Sequence, residues 1–272
     1  MFAAFEKPLI MGILNVTPDS FSDGGKYNTV SAAVAQAEKM LIDGADIIDI
    51  GGESTRPGAE PVSAQEQIRR VVPVIEAING LSSSLMISID TTLAEVAEAA
   101  LGAGAEMIND VSGGTGDAGI LPLAARLGAP IVLMHSQGTP KTMQDNPYYD
   151  DVVSEVVAAL RKRVEAALAA GVTRESIIID PGIGFGKRKQ DNLDLLAHLE
   201  AVVGLGHPVL LGASRKRFMG SLCHSQEPAE LVTATAVTTA LGVMAGVQLF
   251  RVHDVKENRQ AADVAWAIRQ RR

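Results

Sequence analysis

Three carboxylate or amide side chains stand directly after short apolar runs, where a buried strand would end. They are Asp90, Asn109 and Asp180. Side chains of this type can bind a divalent cation through their oxygens, or accept two parallel hydrogen bonds from the N–H edge of a heterocycle. Each could instead cap the helix that follows it. Capping explains one such residue as well as a binding site does, but it explains three of them less well.

Cationic and titratable groups form a second set nearer the C-terminus. It comprises Ser214-Arg215-Lys216-Arg217 and Arg251-Val252-His253. Arg251 and His253 are two residues apart at the end of an apolar strand, so they share one face. In an acidic protein these groups indicate an anionic substrate. The first cluster is also compatible with a solvated charge run, and Lys216 with the Schiff-base lysine of an aldolase.

Two glycine-containing connections, 15–25 and 51–58, follow the first two apolar runs and are typical of mobile lids. In the second, Arg56 next to Thr55 is a candidate phosphate ligand, although an exposed loop arginine fits equally well. A third glycine-rich stretch, 182–187, has only a superficial sequence similarity to a P-loop. Pro181 stands where the first P-loop glycine belongs and Arg188 where Ser or Thr would bind magnesium, so a nucleotide triphosphatase is disfavoured.

Eight apolar runs of strand type recur along the chain, and segments with helical spacing, such as Val30, Val34, Ala37 and Leu41, separate them. The runs are 10–14, 47–50, 86–89, 107–108, 131–134, 177–179, 209–213 and 249–250. Ser63 and Glu66 have capping-box spacing at one helix start. The pattern predicts an α/β fold, a (β/α)8 TIM barrel, as a single domain over residues 1–272. Active-site residues of such barrels lie at the strand ends, so the polar groups should converge on one pocket.

Composition limits the possible partners. The chain has 24 Lys+Arg against 32 Asp+Glu, a net charge of −8, which argues against a nucleic-acid surface. Cys223 is the only cysteine, so no intramolecular disulfide can form, and the N-terminus lacks the pattern of an export signal. These features favour the cytoplasm. The uncharged stretch 231–250 contains threonines, a glutamine and glycines, and we expect a helix followed by a strand rather than a membrane span.

The motifs resemble those of the dihydropteroate synthases, a pterin-binding TIM-barrel family, over nearly the whole chain. The resemblance is carried by 15–24 (NVTPDSFSDG), 52–58 (GESTRPG), 180–187 (DPGIGFGK), 214–216 (SRK) and 251–254 (RVHD). It implies an enzyme that joins 6-hydroxymethyl-7,8-dihydropterin pyrophosphate to p-aminobenzoate, with Mg²⁺, releasing pyrophosphate and 7,8-dihydropteroate.

The resemblance also implies a role for each candidate residue. The pterin would be bound by Asp90, Asn109, Asp180, Lys216 and Arg251. The pyrophosphate would be bound by Asn15, Thr55, Arg56, Arg251 and His253, and Asn15 would be the Mg²⁺ ligand. p-Aminobenzoate would be bound by Phe185, Ser214 and Arg217. The catalytic set would be Asp90, Asp180, Lys216, Arg251 and His253.

Two positions depart from the usual family pattern. Arg217 replaces a serine of some relatives and could give the p-aminobenzoate carboxylate a charged partner, and Ser136 replaces the methionine of Met-His-Met-Gln-Gly. The implied chemistry is dissociative: the cations stabilise departing pyrophosphate while the two aspartates favour the cationic pterin.

Two other functions share parts of this pattern. A methyltetrahydrofolate methyltransferase would have a similar pterin pocket but no use for pyrophosphate ligands, and a non-catalytic pterin-binding paralogue would not need intact lid motifs.

The helix expected over 228–245 has no charge after Glu230. Because a helix that is apolar on all sides must be covered on its outer face, we expect a homodimer through it.

Overall fold

All eight apolar runs form parallel strands in the computed structural model, which describes residues 7–17, 26–54, 60–138, 142–143, 145–225 and 227–272. The strands are β1 (Leu9–Asn15), β2 (Ile47–Gly51), β3 (Met86–Asp90), β4 (Met107–Asp110), β5 (Ile131–Met134), β6 (Ile177–Asp180), β7 (Leu210–Leu211) and β8 (Leu249–Val252). Their order is β6-β5-β4-β3-β2-β1-β8-β7. A parallel bridge between Ile179 and Val209 joins β6 to β7 and closes the ring. The predicted (β/α)8 barrel is confirmed.

Helices occupy the connections and cover the outside of the barrel. They are α1 (Lys26–Ile42), α2 (Ala64–Ile78), α3 (Ala94–Ala103), α4 (Ile120–Leu127), α5 (Val152–Ala169), α6 (Lys189–Ala197), α7 (Leu199–Val203), α8 (Arg217–Cys223), α9 (Val232–Ala245) and α10 (Val255–Arg269). Ser63 caps α2, its Oγ accepting from the Glu66 N–H at 3.3 Å as predicted. The Glu66 carboxylate accepts from Arg69 and Arg70 instead of reaching back as the capping box requires.

Because side chains alternate between the two faces of each strand, the core has two parts. Outward-facing residues such as Ile48 and Ile50 pack against the helices, while inward-facing residues fill the barrel. The lower interior is closed by a buried apolar plug: Met11, Ile47, Met107, Val132, Ile178, Leu210 and Leu249. One period further along several strands the inward side chains are polar, including Asp49, Asn109, Asp180 and Arg251. The plug thus closes the barrel beneath a polar cup, whose floor is formed by the carboxylate and amide side chains among these.

The uncharged C-terminal stretch forms a 3₁₀ turn over Pro228–Leu231 and then α9, and β8 follows at Leu249. By length and composition, 228–245 is the one helical segment among the described residues that could cross a membrane, with a mean hydropathy of 1.3. It packs along α10 as an outer helix of the barrel, so the predicted helix-then-strand order is confirmed. Its outer face leaves Val237 53% and Leu241 59% exposed.

Candidate active site

A cavity of about 950 Å³ opens at the carboxyl ends of the strands. Nine predicted site residues line it: Asn15, Asn109, Asp180, Phe185, Ser214, Lys216, Arg217, Arg251 and His253. Asp90, only 5% exposed, lies next to it and is paired with Arg251. Thr55 and Arg56, and most of the two predicted lids, lie outside the described residues. Of the ten predicted site residues that the structure describes, nine therefore line one pocket and Asp90 lies beside it.

Arg251 joins the buried acids of neighbouring strands. Its Nε donates to Asp49 Oδ2 at 2.6 Å and its Nη2 to Asp90 Oδ2 at 2.7 Å. Asn109 Nδ2 donates to the same Asp49 oxygen at 2.9 Å. Among the residues that the structure describes, the buried Oδ1 atoms of Asp49 and Asp90 have no hydrogen-bond partner. Because such oxygens are costly to leave unsatisfied, they mark this floor as a place for ligand N–H donors.

Burial and charge oppose each other in this cluster. Burial raises the pKa of Asp90 above its usual range, although Arg251 counteracts it. For Arg251 burial acts to lower the pKa, but Asp49 and Asp90 outweigh it and raise the pKa. Two carboxylates of the protein therefore supply part of the negative charge that this buried arginine requires.

Asp49 is a site residue that the sequence reasoning missed. It lies inside the apolar run 47–50, fully buried, and points into the barrel between Ile47 and Gly51. The sequence contained a signal for it, because an acidic residue inside an apolar strand is buried. A buried carboxylate must have hydrogen-bonding or charged partners. Those partners, Asn109 and Arg251, are 60 and 202 residues away in sequence, so they were not evident from the run itself.

Asp180 occupies the end of β6 as predicted. Its Oδ1 accepts from the Gly182 N–H at 2.7 Å. Burial raises its pKa to about 6, although the Gly182 hydrogen bond and Lys216 act in the opposite direction. Burial lowers the pKa of Lys216 to about 8. The Lys216 ammonium lies 4.2 Å from the centre of the Phe185 ring, a cation–π contact on the cavity wall.

Ser214 and His253 connect the loop after β7 to the end of β8. Ser214 Oγ lies 2.9 Å from His253 Nδ1 and accepts from the His253 N–H at 3.1 Å. Arg215, which the sequence grouped with the cations facing the substrate, instead donates through Nε and Nη2 to Asp254. This bidentate ion pair ties the same two segments together, so Arg215 contributes mainly to the shape of the rim.

A buried lysine and histidine beneath the glycine-rich turn were also missed. Lys187 is 3% exposed, and burial lowers its pKa to about 7. It contacts His135, whose pKa is lowered to about 3 by burial and by the adjacent lysine. Lys187 was visible as the last residue of 180–187, but its inward direction depends on the fold of the turn.

The arrangement has two chemically distinct regions. The floor offers carboxylate and amide groups suited to the N–H-rich edge of a flat heterocycle. The rim carries Lys216, Arg217, Arg251 and His253, which suit anionic groups. Such a site can bind a heterocycle bearing an anionic leaving group and stabilise the charge that develops when that group departs.

Comparison with known proteins agrees with this geometry. Residues 11–253 match the family model described as pterin binding enzyme. The dihydropteroate synthase of Synechocystis sp. is 47% identical over 97% of this chain and 91% of its own length. A Xanthomonas albilineans dihydropteroate synthase structure with 4-aminobenzoic acid is 48% identical, with a TM-score of 0.90 over 97% of this chain and 93% of the other.

A second structure from Xanthomonas albilineans, in complex with 7,8-dihydropteroate, is 44% identical, with a TM-score of 0.86 over 97% of this chain and 94% of the other. These likenesses extend over nearly the whole of each chain, and the family match includes the floor and rim residues. The chain belongs to the pterin binding enzyme family and, within it, to the dihydropteroate synthases.

Proposed function

We propose that this protein condenses 6-hydroxymethyl-7,8-dihydropterin pyrophosphate with p-aminobenzoate to give 7,8-dihydropteroate and pyrophosphate. The observation that carries the proposal is the meeting of Asp90, Asn109 and Asp180 at the floor of one cavity, below a cationic rim from which Arg251 reaches Asp90. The family relationship supports this choice of substrates, because related structures contain 4-aminobenzoic acid and 7,8-dihydropteroate.

The pterin binds on the floor. Asp180 accepts hydrogen bonds from the amino and ring N–H groups of the pterin, and Asn109 and Asp90 complete the polar edge. Lys216 and Arg251 line the same space. When the bond to pyrophosphate breaks, positive charge develops on the pterin, and the carboxylates of Asp90 and Asp180 stabilise that charge.

The departing pyrophosphate meets the cationic rim. Arg251 and His253 provide this end of the site, joined by Asn15 and, from the second glycine-containing connection, by Thr55 and Arg56. These groups stabilise negative charge as it accumulates on the leaving group, which lowers the barrier to a dissociative step.

The residues around Asn15 fit a Mg²⁺ ion. Asn15 lines the cavity, and a Cβ atom added to Gly51 would lie 3.6 Å from Asn15 Oδ1, which places one amide oxygen donor beside this glycine. Mg²⁺ commonly takes one or two protein oxygens and completes its shell with water and substrate phosphate. Asn15 would hold the ion, and when bound the ion neutralises pyrophosphate charge.

p-Aminobenzoate binds beside the pterin, against Phe185 and near Ser214, with its carboxylate towards Arg217 at the exposed start of α8. Its amine is neutral at pH 7 and attacks the pterin methylene directly. The proton is lost after the C–N bond forms, so no side chain has to act as a base before attack. The contribution of these residues is orientation.

The outer face of α9 and α10 supports a homodimer. Val237, Leu241, Val264 and Ile268 are each more than half exposed and lie on two helices that pack together. Exposed apolar surface of this kind commonly marks a protein interface. We also propose a cytoplasmic location, since Cys223 is a free, exposed thiol, which suits a reducing compartment.

The test is to incubate the protein with dihydropterin pyrophosphate, p-aminobenzoate and Mg²⁺ and to follow both products. Equimolar pyrophosphate and dihydropteroate are expected. Pterin binding without pyrophosphate release would refute the proposal and favour a binding protein or a methyltransferase.

A separate experiment tests the metal ligand. Asn15→Ala should raise the Mg²⁺ concentration needed for pyrophosphate binding, measured by calorimetry, by at least about tenfold, whereas Asn15→Asp keeps an oxygen ligand and should not. An unchanged Mg²⁺ dependence in Asn15→Ala would remove Asn15 from the metal site.

A further inference from the structure

Lys187 is a buried ammonium whose three N–H bonds all have acceptors. Its Nζ donates to the carbonyl of Gly182 at 2.8 Å and to that of Phe185 at 3.0 Å, and it lies 2.9 Å from His135 Nδ1. With Nδ1 as acceptor, His135 carries its proton on Nε2. A buried ammonium is costly unless it is fully hydrogen-bonded, so this set of acceptors is what allows the lysine to lie inside.

The acceptors belong to a turn pressed tightly against the loop after β5. Gly182 has a φ of 66°, and a Cβ there would lie 1.8 Å from the His135 carbonyl oxygen. A Cβ at Gly186 would lie 2.2 Å from the Gln137 carbonyl oxygen. The turn is also held by Tyr149, whose hydroxyl donates to the Gly186 carbonyl at 2.9 Å. Lys187 therefore holds two carbonyls of the turn and, through His135, joins it to the neighbouring loop.

Phe185 is the residue whose position depends most on this turn. Its N–H donates to the Gly182 carbonyl at 3.1 Å, and its own carbonyl accepts from Lys187. Lys216 crosses the turn so closely that a Cβ at Gly184 would lie 2.9 Å from the Lys216 Cδ, and its ammonium ends over the Phe185 ring. The wall formed by Phe185 and Lys216 is therefore set by the turn's backbone.

Asp180 is held largely by the sheet, although its Oδ1 also accepts from the Gly182 N–H of the turn at 2.7 Å. It is the last residue of β6, in register with Met134 of β5, and its carbonyl accepts from the His135 N–H at 2.9 Å. Loosening the turn would therefore move Phe185 more than Asp180. The two halves of the site thus differ in their dependence on Lys187.

Resting on the proposed function, we propose that Lys187, through His135, is a positioning residue for p-aminobenzoate. The ammonium fixes the turn that carries Phe185 and so fixes the aromatic wall against which the amine substrate lies. Its ammonium is already bonded to the Gly182 and Phe185 carbonyls and to His135, so it acts through the turn and is given no role in binding a substrate directly. Its effect is on the capture and orientation of the second substrate rather than on pterin binding.

Lys187→Met tests this by keeping a chain of similar length without the ammonium. With each substrate varied in turn, the KM for p-aminobenzoate should rise about tenfold or more, while the pterin pyrophosphate Kd should stay within about twofold. Lys162→Met, on an exposed lysine of α5, is the matched control and should change neither value. A lower kcat with both constants unchanged would mean only fewer folded molecules and would overturn the proposal.

A pair of substitutions at His135 provides the second test and decides the matter if Lys187→Met does not fold. His135→Leu removes the acceptor and should raise the KM for p-aminobenzoate. His135→Asn places an oxygen near the Nδ1 position and should restore most of the affinity. Equal behaviour of the two variants would overturn the proposal. Failure of the unaltered protein to release pyrophosphate would instead refute the proposed function.

Discussion

Asp180→Asn should separate the energetic cost of a buried carboxylate from its use in binding. Asp180 is 4% exposed, and burial raises its pKa from 3.8 to about 6. A shift of that size corresponds to roughly 3 kcal/mol by which ionised Asp180 destabilises the folded protein at pH 8. Asparagine has the same shape, keeps an acceptor for the Gly182 N–H and carries no charge. The variant without ligand should therefore be more stable by up to about 3 kcal/mol, a rise in Tm of roughly 6 to 12 °C.

The gain should depend on pH in a defined direction. Because the pKa of Asp180 is higher in the folded protein than in the unfolded chain, folding favours the protonated acid. The cost is absent below about pH 4 and grows as the pH rises through about 6. At pH 5 the advantage of the variant should be about half of that at pH 8. Thermal unfolding at the two pH values measures this.

Binding should change in the opposite sense. Without the carboxylate, two charge-assisted hydrogen bonds to the pterin are weakened, and the affinity measured by calorimetry should fall on the order of 100-fold or more, with turnover lost in parallel. Asp263→Asn, on an exposed carboxylate of α10, is the control and should bind the pterin normally. Normal pterin affinity in Asp180→Asn would refute the assigned role, and a lower Tm at pH 8 would refute the electrostatic reasoning.

Three further substitutions test other parts of the structure. Asp49→Leu leaves Arg251 without one of its buried acceptors and should cost roughly 3–5 kcal/mol in urea unfolding; Asp49→Asn keeps an acceptor, so an equal loss in both would contradict the pairing. Gly182→Ala places a methyl group against the His135 carbonyl and should abolish dihydropteroate formation, so a wild-type kcat would show that the turn can shift. Leu241→Glu should convert a dimer to a monomer by light scattering at micromolar concentration; a wild-type protein that is already monomeric would refute the interface.

The barrel was predictable because its strands and helices repeat a local pattern. Each apolar run became a strand, and polar residues at strand ends necessarily met at one end of a parallel barrel. Asp90, Asn109 and Asp180 could therefore be grouped from the sequence alone. Their roles toward particular substrate atoms came from the family resemblance and remain predictions.

The features that escaped prediction depend on contacts between distant segments. To assign Asp49 to the site, one would need to know that Arg251 faces it across the barrel. To predict the direction of the Lys187 side chain, one would need the path of a turn with three positive-φ glycines. That path sends the side chain inward to His135. Arg215 has the same charge as its neighbours, and only the position of Asp254 shows that its guanidinium is held in an ion pair within the protein. In each case the residue type was visible and the direction of the side chain was not.

The joint between β6 and β7 has a consequence for how ligands affect the protein as a whole. The two strands meet through the bridge between Ile179 and Val209, and β7 is only two residues long, whereas β1 and β2 pair over five positions. Asp180 lies on one side of this joint and Lys216 on the other. A ligand held by both acts as an additional cross-link at the thinnest part of the ring. Substrate occupancy should therefore stabilise the barrel itself, and amide exchange near this joint should slow more on binding than exchange elsewhere in the sheet.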